Sequence, residues 1–223
     1  MLTNTEKQFS ILYVVIVLSE LLTGSTETLQ SVHYIAKPAI VISLIFLFIK
    51  ASKSLSKPIK RLTLLALVFS LLGDVLLMFV ATSEHFFTLG LVAFLTAHVM
   101  YVLLFLKHRN TKKSPFGFIA VLLIYAACLF YFLKDGLGSM LLPVVVYMIV
   151  ILTMATTAYL RKQKVTMRSY GLVFFGSLCF IASDSILAFD KFYQPLPWSN
   201  ISIMVAYAFA QYLIIIGILK LRD

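Results

Sequence analysis

Apolar residues run in eight long blocks, near 8–23, 33–50, 61–80, 86–107, 116–134, 138–160, 168–190 and 199–220, separated by short polar gaps. A helix needs about 20 mostly apolar residues to cross the hydrocarbon of a bilayer, and each block comes close to that length. Runs this long and continuous satisfy their backbone groups inside lipid only as helices, which excludes a barrel. The pattern predicts an all-α fold, a polytopic transmembrane bundle of eight helices forming a single integral membrane domain over residues 1–223. The gaps are too short for a second domain.

Composition and charge sharpen this picture. The chain is 61% hydrophobic, far above a soluble domain, with a formal charge of +10. Such a charge suits nucleic acid when it lies along one soluble face, but here the cations sit in gaps between apolar blocks, so no nucleic-acid partner is expected. The gap after the second block carries Lys50, Lys53, Lys57, Lys60 and Arg61. The gaps after the fourth and sixth carry Lys107, Arg109, Lys112 and Lys113, and Arg161, Lys162, Lys164 and Arg168. With Lys7, Lys220 and Arg222, 16 of the 19 basic residues fall on one side, leaving Lys37, Lys134 and Lys191. The positive-inside rule then places both termini in the cytoplasm, with a bacterial cytoplasmic membrane as the expected location. The first block lacks a strongly basic leader and a small-residue cleavage site, so it is expected to remain as a span. Cys128 and Cys179 lie inside apolar blocks without the spacing of a metal knuckle or redox pair.

The halves repeat weakly. Phe69-Ser-Leu-Leu-Gly-Asp74-Val-Leu-Leu-Met-Phe79 resembles Phe180-Ile-Ala-Ser-Asp184-Ser-Ile-Leu-Ala-Phe189, and Ala97-His98-Val-Met-Tyr101 faces Ala210-Gln211-Tyr212. Equivalent blocks run the same way, which predicts a parallel internal duplication of two four-helix halves, about 1–110 and 111–223.

Ionisable side chains deep in a span cost roughly 3 kcal/mol to insert and are functional candidates by default. They are Glu20, Lys37, Asp74, His98 and Asp184. Asp74 lies six residues before Val80 and Asp184 six before Asp190. At about 1.5 Å of rise per residue, both are expected roughly 9 Å below the outer helix ends. Tyr101 follows His98 by one turn, and Tyr147 and Tyr207 descend to a similar depth, so all three join the candidates for one pocket. Plainer readings exist for each. Glu20 and Lys37 can neutralise one another or snorkel, and Ser70, Ser183 or Ser185 can hydrogen-bond the aspartates. His98 can be a packing residue that donates to a carbonyl, and tyrosines are common in membrane helices. The repetition of the two aspartates at matched depth favours a joint role.

Lys37-Pro38, Ser70-Leu-Leu-Gly-Asp74-Val-Leu-Leu, Gly90-Leu-Val-Ala-Phe94-Leu-Thr-Ala-His98-Val-Met-Tyr101, Tyr147-Met148 and Ser183-Asp184-Ser-Ile-Leu-Ala188 together resemble the YhhN family of lysoplasmalogenases, in order and over essentially the whole chain. The resemblance implies an eight-span membrane hydrolase that cleaves the vinyl ether bond of a lysophospholipid substrate held among membrane lipid. The products would be a fatty aldehyde and glycerophosphocholine or glycerophosphoethanolamine. It implies Asp74 and Asp184 as catalytic carboxylates, with His98 and Tyr101 from the fourth block, and no cofactor. Such hydrolysis needs an acid and a stabilising anion; Asp184 is taken as acid and Asp74 as base, or the reverse. His98 would orient a carboxyl or shuttle protons. Lys37 would meet the lipid phosphate, with Glu20, Tyr101, Tyr147 and Tyr207 completing the substrate site. No oligomeric state follows.

Two rival readings stand beside this one. Ser70-x-x-x-Asp74 also suits a zinc-dependent lipid hydrolase, but His33, His85 and His108 lie at span ends, so no metal site is expected. A duplicated bundle with midplane acids also suits a lipid binder or proton-coupled carrier without hydrolase activity.

Overall fold

The computed structural model describes residues 4–25 and 27–222, leaving aside the side chains of Glu27 and Arg222, so the cytoplasmic cation counted at Arg222 lies outside the described side chains. Eight α-helices follow one another: α1 Asn4–Gly24, α2 Gln30–Ala51, α3 Lys57–Leu77, α4 His85–Leu106, α5 Phe116–Leu133, α6 Leu141–Tyr159, α7 Met167–Phe192 and α8 Ser199–Leu219. Short 3-10 turns cover Glu27–Leu29, Gly138–Met140 and Lys220–Arg222, and no strand occurs among the described residues. Seven of the helices are long and apolar enough to cross a membrane. The other, α3, has the length but carries Lys57, Lys60, Arg61 and Asp74, which dilute its apolar stretch.

Local signals explain the helix starts. Pro58 sits in the first turn of α3 and Pro143 in the first turn of α6, where a missing N–H leaves no helical bond unmade. Thr166 caps α7 by accepting from the Ser169 N–H at 3.2 Å. One expectation shifts here, because α3 stops at Leu77 instead of reaching residue 80. Its last carbonyls are taken by tighter bonds, from Met78 N–H to Val75 and from Phe79 N–H to Leu76. Asp74 therefore stands only one turn from its helix end, while Asp184 lies well inside α7.

The bundle is organised inside out relative to a soluble protein. In α1 the buried positions Glu6, Tyr13 and Glu20 recur every seven residues, two turns apart on one face, while Ile11, Leu12, Val15 and Leu18 face outward. Lipid accepts the apolar face, so the polar stripe is the one that must find protein partners. It finds them in Lys220, which donates to Glu6 at 2.8 and 3.1 Å, in the Ala208 carbonyl, which accepts from Tyr13 at 2.8 Å, and in His33 beside Glu20 at 3.1 Å. The first and last helices are thus joined by polar contacts. α8 is the most enclosed helix and packs chiefly on α7, while α3 packs on α4 and α4 on α6.

Gly73, next to Asp74, allows the α3–α4 approach, since a Cβ there would lie 2.6 Å from the Phe94 ring. Between α5 and α6, Gly136 lies directly against the Phe192 carbonyl at the end of α7, leaving no room for a Cβ. Gly136→Ala is expected to destabilise the protein by about 2 kcal/mol or more, because backbone has to move to admit the methyl group. Unfolding in detergent checks this, and an unchanged midpoint would show that this contact gives way without strain.

Candidate active site

A cavity of about 340 Å³ opens among the helix halves next to the α1–α2, α3–α4, α5–α6 and α7–α8 connections. Polar side chains on its walls include Glu20 from α1, Lys37 from α2, Asp74 from α3, Tyr125 from α5, Tyr147 from α6, Asp184 and Lys191 from α7 and Tyr207 from α8. The remainder is largely apolar, with Leu129, Val144, Ile151 and Ile181 among the wall residues. Such a shape, an apolar chamber with few convergent polar groups, is what a lipid-sized ligand with one reactive bond requires.

Each carboxyl is held by a tyrosine from a different helix. The Tyr207 hydroxyl donates to Asp74 Oδ2 at 2.7 Å, and the Tyr147 hydroxyl donates to Asp184 Oδ2. Asp74 is 2% exposed; Asp184 is half-buried because it faces the cavity. Both aspartates line the same cavity. None of the three serines considered as their partners serves them: Ser183 donates to the Ile203 carbonyl, Ser185 to that of Ile181, and Ser70 Oγ is buried without a partner among the described residues.

Lys37 and Glu20 do not form the ion pair considered for them. Glu20 meets His33 Nδ1, while Lys37 is in no ion pair among the described residues, although its charge is felt by Glu20 and Asp74. Proline at position 38 removes the helical bond to the Tyr34 carbonyl one turn earlier, at the level where Lys37 reaches the cavity.

His98 and Tyr101 are placed differently from the expectation. Neither lines the cavity. Phe94 does, and His98 is one turn deeper on the same face of α4. Its ring lies 4.6 Å from Phe180 and 5.4 Å from Tyr147, edge-on to both. The Phe94 backbone lies near, but neither ring nitrogen completes a hydrogen bond among the described residues. Tyr101 is fully buried and donates to Gln211 Oε1 at 3.0 Å, which places it behind the residues that line the cavity. No group of three or more His, Cys, Asp or Glu side chains among the described residues is placed to hold a metal ion.

Two participants went unpredicted. His33 was placed at a span end yet lines the cavity and holds Glu20. Gln211 bridges Tyr101 and Tyr207, its Nε2 donating to the Tyr207 oxygen at 3.3 Å. Its signal was legible: an amide four residues after Tyr207, on the same face, with mostly apolar neighbours along the rest of the helix.

No solved structure matches the chain. Among characterised proteins, human lysoplasmalogenase TMEM86B is 32% identical over 155 residues, 70% of this chain and 62% of its own length. Bovine lysoplasmalogenase TMEM86A is 28% identical over 178 residues, covering 76% of this chain and 70% of the relative. A lysoplasmalogenase of Mycobacterium bovis is 28% identical over 193 residues, 83% and 71% of the two chains. The YhhN family profile matches residues 32–218, from the first turn of α2 to the last turn of α8, and the chain belongs to the YhhN family.

Proposed function

We propose that this protein hydrolyses the vinyl ether bond of lysoplasmalogens, releasing a fatty aldehyde and glycerophosphocholine or glycerophosphoethanolamine. The observation that carries the reading is the meeting of Asp74 and Asp184 on the walls of one largely apolar cavity, each held by a tyrosine hydroxyl. The relatives' names point the same way.

Two carboxyls sharing a dry chamber do not both ionise readily, so one keeps its hydrogen. That acid delivers the proton to the outer alkenyl carbon, and the ether oxygen stabilises the cation formed at its neighbour. The ionised carboxylate steadies this oxocarbenium ion and takes a proton from the water that adds to it. In the resulting hemiacetal the spent acid takes the hydroxyl proton while the proton that the base took from water passes to the glycerol oxygen, so the C–O bond breaks to aldehyde and alcohol and both carboxyls return to their starting states. His98 acts through Tyr147, whose ring it backs, and so positions Asp184 without touching substrate.

Lys37 provides the charge for the lipid phosphate: like Lys191 it lines the cavity with no ion pair among the described residues, and of the two it lies on the side of Glu20 and Asp74. Glu20, kept by His33, borders the same end of the chamber. Lys37→Met is expected to raise KM for lysoplasmalogen about 10- to 100-fold with little change in kcat, the loss of one charge-assisted contact made equally in ground and transition states. Aldehyde release measured against substrate concentration checks this; a fall in kcat at constant KM would move Lys37 into the chemistry.

In this reading α3 also crosses the membrane, its Lys57, Lys60 and Arg61 lying at the cytoplasmic end, which makes eight spans with both termini in the cytoplasm. The protein is one integral domain of a cytoplasmic membrane, and its halves are a parallel duplication, supported by the placing of Asp74 on α3 and Asp184 on α7, the third helix of each half. The purified protein in detergent is expected to release aldehyde from an alkenyl lysolipid and leave the ester-linked analogue intact. Absence of aldehyde from active-folded preparations would overturn the assignment.

A further inference from the structure

Behind the cavity wall, three hydrogen bonds run in a single direction. Tyr101 on α4 donates to Gln211 Oε1 at 3.0 Å, Gln211 Nε2 donates to the Tyr207 oxygen at 3.3 Å, and Tyr207 donates to Asp74 Oδ2 at 2.7 Å. Gln211 and Tyr101 are fully buried, so water does not compete for these bonds. A tyrosine hydroxyl has one hydrogen, and an amide presents a donor at one end and an acceptor at the other. With the Gln211 amine aimed at its oxygen, Tyr207 has its hydrogen available only for Asp74, and Asp74 must accept.

Tyr147 differs. It donates to Asp184, but among the described residues its oxygen receives no donor of its own. Its hydroxyl is therefore able to turn and accept from a protonated Asp184, whereas Tyr207 can accept from Asp74 only by giving up Gln211. The ionisable groups around the Tyr207 chain are Asp74 from α3, Lys37 from α2, Asp184 from α7, Tyr13 from α1 and Tyr101 from α4, with the Tyr212 ring of α8 tilted 5.3 Å from that of Tyr13.

We infer that Gln211 is a positioning residue that orients Tyr207 as an obligate donor and thereby biases Asp74 toward the ionised form of the base, leaving Asp184 as the acid that holds the proton. The inference rests on the hydrolase reading above and assigns the two roles within it. Gln211 touches no substrate; it acts through Tyr207.

Two variants of the full-length protein in detergent test this, with alkenyl lysolipid as substrate and unfolding midpoints recorded alongside. Gln211→Met removes both ends of the amide, and kcat is expected to fall about 10- to 100-fold with KM near that of the parent. Gln211→Glu keeps the shape. Its neutral acid reproduces the amide, accepting from Tyr101 and donating to Tyr207, but its carboxylate has no hydrogen to give. Turnover of Gln211→Glu is thus expected to persist at acidic pH and to fall more steeply than that of the parent as pH rises. A merely structural role would leave that pH profile parallel to the parent's, and such a profile, or a Gln211→Met kcat within twofold of the parent, overturns the inference. Should Gln211→Met fail to fold, the near-isosteric Gln211→Glu decides alone. An inactive Asp74→Asn with indifferent Gln211 variants sinks only this inference, whereas a fully active Asp74→Asn sinks it together with the reading on which it rests.

Discussion

Asp74→Asn and Asp184→Asn are each expected to lower aldehyde release from lysoplasmalogen by about 10²- to 10⁴-fold, the range lost when a positioned acid or base is removed. Asparagine preserves size and can still accept from Tyr207 or Tyr147, so the hydrogen bonds that hold each side chain survive. What disappears at position 184 is the ionisable proton, and at position 74 the negative charge beside the developing cation. The two losses fall on one reaction sequence, so the double variant is expected to be little worse than either single one. Retained turnover in both single variants would remove the carboxyl pair from the chemistry. Equal unfolding midpoints for parent and variants would show that the effect is on catalysis.

A second large effect concerns stability and lies at the other end of the bundle. Lys220 and Glu6 are almost fully buried and joined at 2.8 and 3.1 Å, tying the start of α1 to the end of α8. Lys220→Met removes the ammonium and leaves Glu6 enclosed, a change that costs about 3–5 kcal/mol when one member of a buried pair is lost. Glu6→Gln combined with Lys220→Met is expected to recover much of that cost, because the buried charge at position 6 is removed together with the ammonium. Denaturation in detergent separates these cases. A single variant as stable as the parent would show that the pair contributes nothing. Glu6 lies 14 residues before Glu20, about 21 Å along the helix, so the surviving folded fraction should turn over normally.

The residues that made the fold legible are the long apolar blocks, because the bilayer demands length and every block supplied it. All eight helices fall within a few residues of those blocks. What the pattern could not show is which face of each helix turns inward. Lipid and core are equally apolar, so α1 announces its inner face only through Glu6, Tyr13 and Glu20. The same reason explains the candidate site. Asp74, Asp184, Lys37 and Glu20 stood out as ionisable groups in apolar surroundings, and Tyr147 and Tyr207 by their depth. His98 and Tyr101 share that depth, but whether a residue at a given depth meets the chamber or lies behind it depends on neighbours from other helices, here Phe180 for His98 and Gln211 for Tyr101. Glu20 chose His33 over Lys37 for a similar reason, since the bend of chain between α1 and α2 brings position 33 to it.

The arrangement also explains why several helices share the polar groups of one site. A lone acid on one helix would find only lipid around it, whereas Tyr147 and Tyr207 give each aspartate a hydrogen-bonding partner from a neighbouring helix. The aspartates then face a chamber open to a lipid chain, with cation and hydrogen-bonding groups kept to its walls.

The most direct measurement of the central claim is an experimental structure of Asp184→Asn with an intact alkenyl lysolipid bound. The expected result is a vinyl ether bond lying between positions 184 and 74, with the phosphate toward Lys37 and the hydrocarbon tail along the apolar wall. A lipid whose double bond lies away from both positions, or one seated entirely outside this cavity, would contradict it.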